Sequence, residues 1–225
     1  NAARLLVASL QERLTDHDDL ALVESVQNSL EGAEAILSDL LDISRLDHGQ
    51  VQPHLRHFKL DDILSSLADE FAPVAQRKGL TLRYVPCHQA VTSDPYLLSR
   101  IVRNFLANAC RYTQRGGICL GARRQANDTL AIQVVDSGIG IPESEYRRIF
   151  REFHQLNVRR ARDRQGVGLG LAIVERLSQR LEHPLSVRSV PEKGSCFAVQ
   201  VPRASGVSFS QASTPASLPA LEAEF

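Results

Sequence analysis

Gly166-Val167-Gly168-Leu169-Gly170-Leu171-Ala172-Ile173-Val174 is a glycine-spaced loop running straight into an apolar helix. Glycine lacks Cβ, so such a loop can lay its backbone N–H groups against a ligand. The helix N-terminus that follows adds a partial positive charge and free N–H donors. Together these favour a phosphate. The same spacing also serves helix–sheet packing, so this run alone leaves both readings open.

The chain around it has 225 residues, enough for one full core and a smaller accessory element. Acidic and basic residues balance at 26 each, which argues against a general nucleic-acid binder. No apolar run approaches ~18 residues and no signal peptide is visible, so no membrane contact is expected. Cys87, Cys110, Cys119 and Cys196 show no C-x-x-C spacing and sit among apolar neighbours. They read as reduced core cysteines of a cytoplasmic protein.

Residues 1–14 carry Ala3, Leu6, Leu10 and Leu14 at helical spacing, broken by Thr15-Asp16-His17-Asp18-Asp19. Val23, Val26, Leu30, Ala33, Leu37 and Leu40 then follow as a heptad seam, widened by Leu22, Ile36 and Ile43. The helix should stop near Asp47-His48-Gly49. A lone hairpin cannot bury a seam this long. Pairing with a second copy gives a four-helix bundle in a homodimer. The alternative is that the hairpin packs on its own C-terminal domain.

Beyond residue 53 strands and helices alternate. Residues 57–60 read as a strand, Asp61 as the N-cap of a helix to about residue 77, and Gly79 as its end. Residues 80–85 alternate as a strand, and Asp94-Pro95 caps and opens another helix. Strands are expected around residues 118–122 and 129–135, flanking an Asn127-Asp128 turn, with a helix over 143–150. The helix at 168–181 and strands over 185–190 and 196–201 complete the pattern. The fold class is α+β: a helical hairpin, then an α/β sandwich with a mixed sheet. From about residue 204 the chain is Ser/Ala/Pro-rich and reads as a linker or disordered tail.

Two more stretches bear chemistry. On the helix after Pro95, Asn104, Asn108 and Arg111 stand at i, i+4 and i+7, hence on one face. Leu98, Ile101, Val102, Phe105 and Ala109 cover the core side. Amide oxygens above a guanidinium can hold Mg²⁺ and phosphate, though a solvated polar face would look the same. Asp136-Ser137-Gly138-Ile139-Gly140-Ile141-Pro142 follows an apolar strand. A buried Asp there needs a donor, such as a purine exocyclic amine, or it closes a turn with an Asx hydrogen bond. Between this stretch and the opening one, Arg159, Arg160, Arg162 and Arg164 suit either a lid over phosphates or a solvated charge run.

In this order the stretches resemble the boxes of a sensor histidine kinase catalytic core. The N box is residues 104–113 and the first glycine box 136–140. The F box is Ile149-Phe150-Arg151-Glu152-Phe153-His154-Gln155-Leu156, and the second glycine box is residues 166–171. Gly194-Ser195-Cys196-Phe197 is similar to the closing strand start. Residues 1–52 resemble the dimerisation and histidine-phosphotransfer hairpin, 53–203 the ATP-binding domain, and 204–225 a linker.

The resemblance implies ATP and Mg²⁺ as cofactors. It gives Asn104 and Asn108 to the metal, Arg111 to phosphate and Tyr112 to the nucleotide. Asp136 accepts from the adenine amine, with Gly138 and Gly140 shaping that wall. Gly166, Val167, Gly168, Leu169 and Gly170 cradle phosphates, Ser195 lies near the base, and Phe150 and Phe153 anchor the lid. The implied reaction moves the γ-phosphoryl to a histidine and then to an aspartate of a response regulator receiver domain. Related ATPases place a general-base Glu one turn before the metal-holding Asn. Asn104 stands there instead and cannot serve as that base. The acceptor histidine is expected a few residues before Asn1, so this chain should bind ATP without phosphorylating itself. A non-catalytic dimeric scaffold is the competing expectation.

Overall fold

The computed structural model describes residues 17–125, 127–156 and 167–204. The expected first helix at 1–14, the arginine-rich loop, Gly166 and the tail fall outside them. Among the described residues the chain forms four α-helices and seven β-strands.

Helix α1 (His17–Asp47) carries the heptad seam. It already includes His17 and Asp19, so the break expected at 15–19 does not extend past residue 16. Leu37 and Leu41 are 62% and 59% exposed, and Val26 and Leu40 are also exposed. The last two turns behave differently: Ile43 and Leu46 are buried in the main core. The helix ends as its sequence dictates, with the Gln50 N–H on Arg45 O at 3.0 Å.

Strand β1 (Arg56–Lys59) leads into α2 (Leu60–Arg77). Asp61 is not the N-cap expected of it. Lys59 occupies that position without a side-chain capping hydrogen bond, and Asp61 lies inside the first turn. Its carboxylate instead accepts from the Tyr84 hydroxyl and, at 3.1 Å, from the Cys87 N–H. Burial and this carboxylate push the Tyr84 hydroxyl pKa up. Strand β2 (Thr81–Tyr84) follows, then β3 (Ala90–Ser93), which pairs antiparallel with β1.

Helix α3 (Pro95–Tyr112) starts where its cap sequence places it. Asp94 Oδ1 accepts from the Tyr96 and Leu97 N–H groups at 2.9 and 3.0 Å. Leu98, Ile101, Val102, Phe105 and Ala109 are buried, and the Phe105 ring stands 5.4 Å from that of Phe197. Strands β4 (Gly117–Arg124) and β5 (Thr129–Asp136) are antiparallel, and Asn127 and Asp128 both take positive φ in their turn. The helix expected over 143–150 is a 3₁₀ turn, Glu143–Glu145, followed by turns. The segment is held by bonds of mixed type, Arg148 N–H to Glu145 O and Ile149 N–H to the same oxygen, and the Tyr146 hydroxyl is tied to Ser189 of a distant strand.

Helix α4 (Gly170–Leu181), β6 (Leu185–Val190) and β7 (Gly194–Pro202) close the chain. The five-stranded sheet runs β2-β4-β5-β7-β6, with β2–β4 parallel and the other pairs antiparallel, so it is mixed. Period-two alternation decides what this sheet offers the helices. Leu130, Ile132 and Val134 of β5 and Val201, Val199 and Phe197 of β7 are buried. The same alternation carries Asp136 and Ser195, a directly opposed pair, to that inner face at the strand ends. Cys87 and Cys110 are buried, Cys119 and Cys196 partly so, and all four thiols are free. Burial raises each thiol pKa. No helix among the described residues is long and apolar enough to cross a membrane.

His183, just past α4, is 3% exposed and its Nε2 bonds Ser93 Oγ at 2.8 Å, while its buried Nδ1 has no partner. Burial holds its pKa below 6.5. The unfolded chain therefore takes up a proton first as the pH falls, and stability drops below about pH 6.5. Urea midpoints at pH 7.5 and 5.5 should differ less in a His183→Gln variant. Equal slopes in the two proteins would rule His183 out as the cause.

Candidate nucleotide site

The inner face of the sheet, the C-terminal half of α3 and the N-terminus of α4 enclose a chamber. Asn108, Tyr112, Asp136, Gly140 and Ser195 all line it. Ile139, Ile141, Ile149, Leu156, Leu171 and Phe197 supply its apolar walls. It opens into an outer cleft of about 670 Å³ bounded by Gly138, Ser137, Arg115, Arg148 and Glu192. Ile139, Gly140, His154, Gln155 and Leu156 line both spaces.

Asp136 is 5% exposed. Burial pushes its carboxyl pKa up, against the backbone N–H groups of Gly138 and Ser195, which pull it down. The Gly138 N–H lies 2.8 Å from Oδ1. A carboxylate so placed among apolar walls has spare acceptor capacity and little water, so it favours a ligand N–H. Gly140 takes φ +67°, and a Cβ there would stand 2.1 Å from Val190 O. Its requirement is a backbone crossing, and the ligand is not needed to explain it.

Asn104 and Asn108 share a face of α3, yet only Asn108 lines the chamber. The Asn104 amide donates to Arg100 O at 2.9 Å, which turns Oδ1 towards α4. A Cβ on Gly170 would lie 2.5 Å from that oxygen, so a larger residue there would require the Asn104 side chain to shift. Leu169, the N-cap residue of α4, makes no side-chain capping bond, so among the described residues no side chain caps the first N–H groups of the helix. Val167 is half-buried against the core. Gly168 packs on the F box: its carbonyl accepts from the Phe153 N–H at 3.1 Å. Phe150 is packed against the core, whereas Phe153 is 58% exposed and takes positive φ, so it does not anchor by packing.

Arg111 does not line the chamber, and its charge acts on Asp39 of α1. It belongs to a wider seam of arginines facing the end of that helix. Arg100 pairs with Asp42, and Arg180 donates to Leu46 O at 2.7 Å. Arg176 spans Asp47, at 2.7 Å, and Glu152 of the F box. The Arg176 hydrogen bond holds the Asp47 carboxyl below its usual range.

Three features of the site left no mark in the motif reading. Glu145 accepts from Arg148 and faces His154 Nε2, each at 2.8 Å, at the cleft mouth. The Glu-x-x-Arg spacing was the available signal for the first contact. Tyr146 and Ser189 form the third feature, and they are linked only by tertiary structure.

Residues 93–205 match the family profile of histidine kinase-, DNA gyrase B- and HSP90-like ATPases, half of the chain. The chain belongs to this family, as a catalytic core of the sensor histidine kinase type. It is 33% identical over 201 residues to the autoinducer 2 sensor kinase/phosphatase LuxQ of Vibrio vulnificus strain YJ016, covering 86% of this chain and 24% of that protein. It is 36% identical over 186 residues to the sensor histidine kinase RcsC of Escherichia coli strain K12, covering 80% and 19%. The chain thus spans a quarter or less of these relatives. The crystal structure of full-length ShkA in complex with AMPPNP superposes with a TM-score of 0.76 at 25% identity, over 90% of this chain and 42% of that one.

Proposed function

We propose that the chain binds Mg²⁺-ATP in the chamber and transfers its γ-phosphoryl to a histidine on a helical bundle. From there the phosphoryl passes to an aspartate of a response regulator receiver domain. The observation that carries this reading is the meeting of Asn108 and Tyr112, Asp136 and Gly140, and Ser195 around one chamber, from three separate motifs. The LuxQ and RcsC likenesses and the AMPPNP-bound neighbour support it.

Each group has a task in this reading. Asp136 accepts from the adenine amine, with Ser195 and Tyr112 beside the base and Gly138 and Gly140 shaping the wall. Ile139, Leu156 and Phe197 exclude water from the ring. The uncapped start of α4, with Val167, Gly168, Leu169 and Gly170, offers N–H groups to phosphate, and Gly166 precedes them in sequence. Neutral amide oxygens suit a hard cation, and the Asn104 oxygen already faces the glycine box. Asn108 with Asn104 would hold Mg²⁺, which neutralises developing phosphate charge. Arg111, on the same face of α3, would reach phosphate.

The division into a helical hairpin (1–52), an ATP-binding domain (53–203) and a tail (204–225) is part of this proposal, as is a cytoplasmic location. The exposed seam of Val26, Leu37, Leu40 and Leu41 supports a homodimeric bundle.

Calorimetric titration with ATP, with and without Mg²⁺, tests the reading. Binding between roughly 1 µM and 1 mM, weakened by chelating Mg²⁺, is expected. Absence of heat and of any thermal stabilisation would refute it and favour the scaffold.

A further inference from the structure

Beneath Ser195 lies a chain of hydroxyl groups that no motif contains. Ser189 sits on β6 directly opposite Ser195 of β7, and Ser195 in turn opposes Asp136 of β5. Three contacts converge on Ser189 Oγ. The Ile141 N–H donates to it at 2.8 Å, Gly194 O lies 2.8 Å away, and Ser195 Oγ lies 2.9 Å away. The Ser189 backbone is clamped as well: the Tyr146 hydroxyl donates to Ser189 O at 2.7 Å and accepts from Ser189 N–H at 2.8 Å.

A hydroxyl has one proton and two lone pairs. A carbonyl oxygen only accepts, so Gly194 O takes the single proton of Ser189. One lone pair is occupied by the Ile141 N–H. The remaining position can only accept, and the Ser195 O–H must therefore point at Ser189 and donate to it. Ser195 then shows the chamber lone pairs alone. Asp136, beside it, also shows an acceptor.

We infer that Ser189 is a positioning residue that fixes Ser195 as a hydrogen-bond acceptor and thereby makes the chamber select a 6-amino over a 6-oxo purine. This deepens, and rests on, the nucleotide-binding reading above. Two acceptors side by side match the two hydrogens of an exocyclic amine. A 6-oxo group puts a third oxygen against them, and buried acceptors without donors are costly. Were the Ser195 hydroxyl free to rotate, it would donate to the oxo group and the selectivity would shrink. The selectivity thus depends on a residue that need not touch the ligand.

The test compares ADP with inosine diphosphate by calorimetry in the presence of Mg²⁺. Neither is turned over, and they differ at the 6-position and the adjoining N1 proton. The unaltered chain should prefer ADP by at least tenfold. Ser189→Ala releases the Ser195 hydroxyl, so the preference should fall about tenfold, chiefly through tighter binding of inosine diphosphate. A gain of affinity for the wrong base is something mere structural damage does not produce. Ser189→Cys, of similar volume but with a poor acceptor, should move the ratio the same way and serves if the alanine variant fails to fold. Ser195→Ala, which removes one of the two acceptors, should weaken ADP and so narrow the preference from the other side. An unchanged ratio in both Ser189 variants, with ADP still bound, overturns the inference and leaves the nucleotide reading intact. If the unaltered chain binds neither nucleotide, the nucleotide reading itself falls, and this one with it.

Discussion

An Asp136→Ala variant should lose roughly 30- to 150-fold in affinity for ATP while remaining folded with little change in stability. The two halves of this result have one cause. The carboxylate is 5% exposed, and its ionised form is opposed by burial more than it is helped by the Gly138 and Ser195 N–H groups. Its folded pKa stands above 3.8, so the folded chain keeps this proton to higher pH than the unfolded one. Stability contributed by Asp136 is therefore present below the unfolded value and lost as the pH rises through the folded one. At neutral pH the ionised group is a cost that alanine removes, and this offsets the loss of the acceptor for the Gly138 and Ser195 N–H groups. A hydrogen bond to a charged group in such a setting contributes about 2–3 kcal/mol, which gives the stated loss of affinity. Calorimetry and thermal melts at pH 7.5 read both quantities. Unchanged ATP affinity in a folded variant would remove Asp136 from the site.

The parts of this fold that were legible share a local cause. The Asp94-Pro95 start of α3 needs only a side chain reaching N–H groups two and three residues on. The Asn127-Asp128 turn needs only residues that tolerate positive φ. The inner faces of β5 and β7 follow from alternation, which also placed Asp136 and Ser195 together. What the sequence hid was set by distant partners. Asp61 has the chemistry of a cap, but Tyr84 and Cys87 claim its carboxylate. The strand Ala90–Ser93 is four residues long and takes its form from β1 and a fully buried Val91.

At the site, spacing showed which residues share a helix face but not what that face meets. Asn104, Asn108 and Arg111 are one stripe of α3, yet it spans about two turns of the helix. One residue borders the chamber, one faces Gly170, and one feels Asp39. Similarly, the F box reads as two packing phenylalanines. Only Phe150 packs, because Phe153 sits at a positive-φ corner whose N–H is tied to Gly168. By sequence alone the glycine boxes read as backbone making room for a ligand. In Gly140 the neighbour that excludes a side chain is the chain's own β6–β7 connection.

Gly194 takes this last point furthest and gives the largest expected effect on stability. Its φ is +130°, outside the range that residues with Cβ adopt readily. A Cβ built there would stand 1.9 Å from Asp136 O and 2.9 Å from Asp136 C. Both are backbone atoms of a central strand, so no side chain can swing aside. Gly194→Ala must therefore push β7 away from β5 at the Asp136–Ser195 pair, where the chamber has its polar floor. The expected destabilisation is about 3 kcal/mol or more, from local backbone strain plus the lost packing. For a chain of this size that lowers Tm by roughly 6–12 °C. Gly32→Ala is the matched control: it lies in α1 with nothing within 4 Å of a built Cβ. A helical glycine replaced by alanine in open space should leave stability equal or slightly higher. In addition, whatever fraction of Gly194→Ala remains folded at 20 °C should bind ATP poorly, since the displaced strand carries Ser195 and Gly194 O anchors the Ser189 proton. If Gly194→Ala melts with the parent and binds ATP as well, then β7 can yield at its first residue without disturbing the base-binding wall. The rigid registration of β5, β7 and β6, on which the whole reading of the chamber depends, would then have to be abandoned.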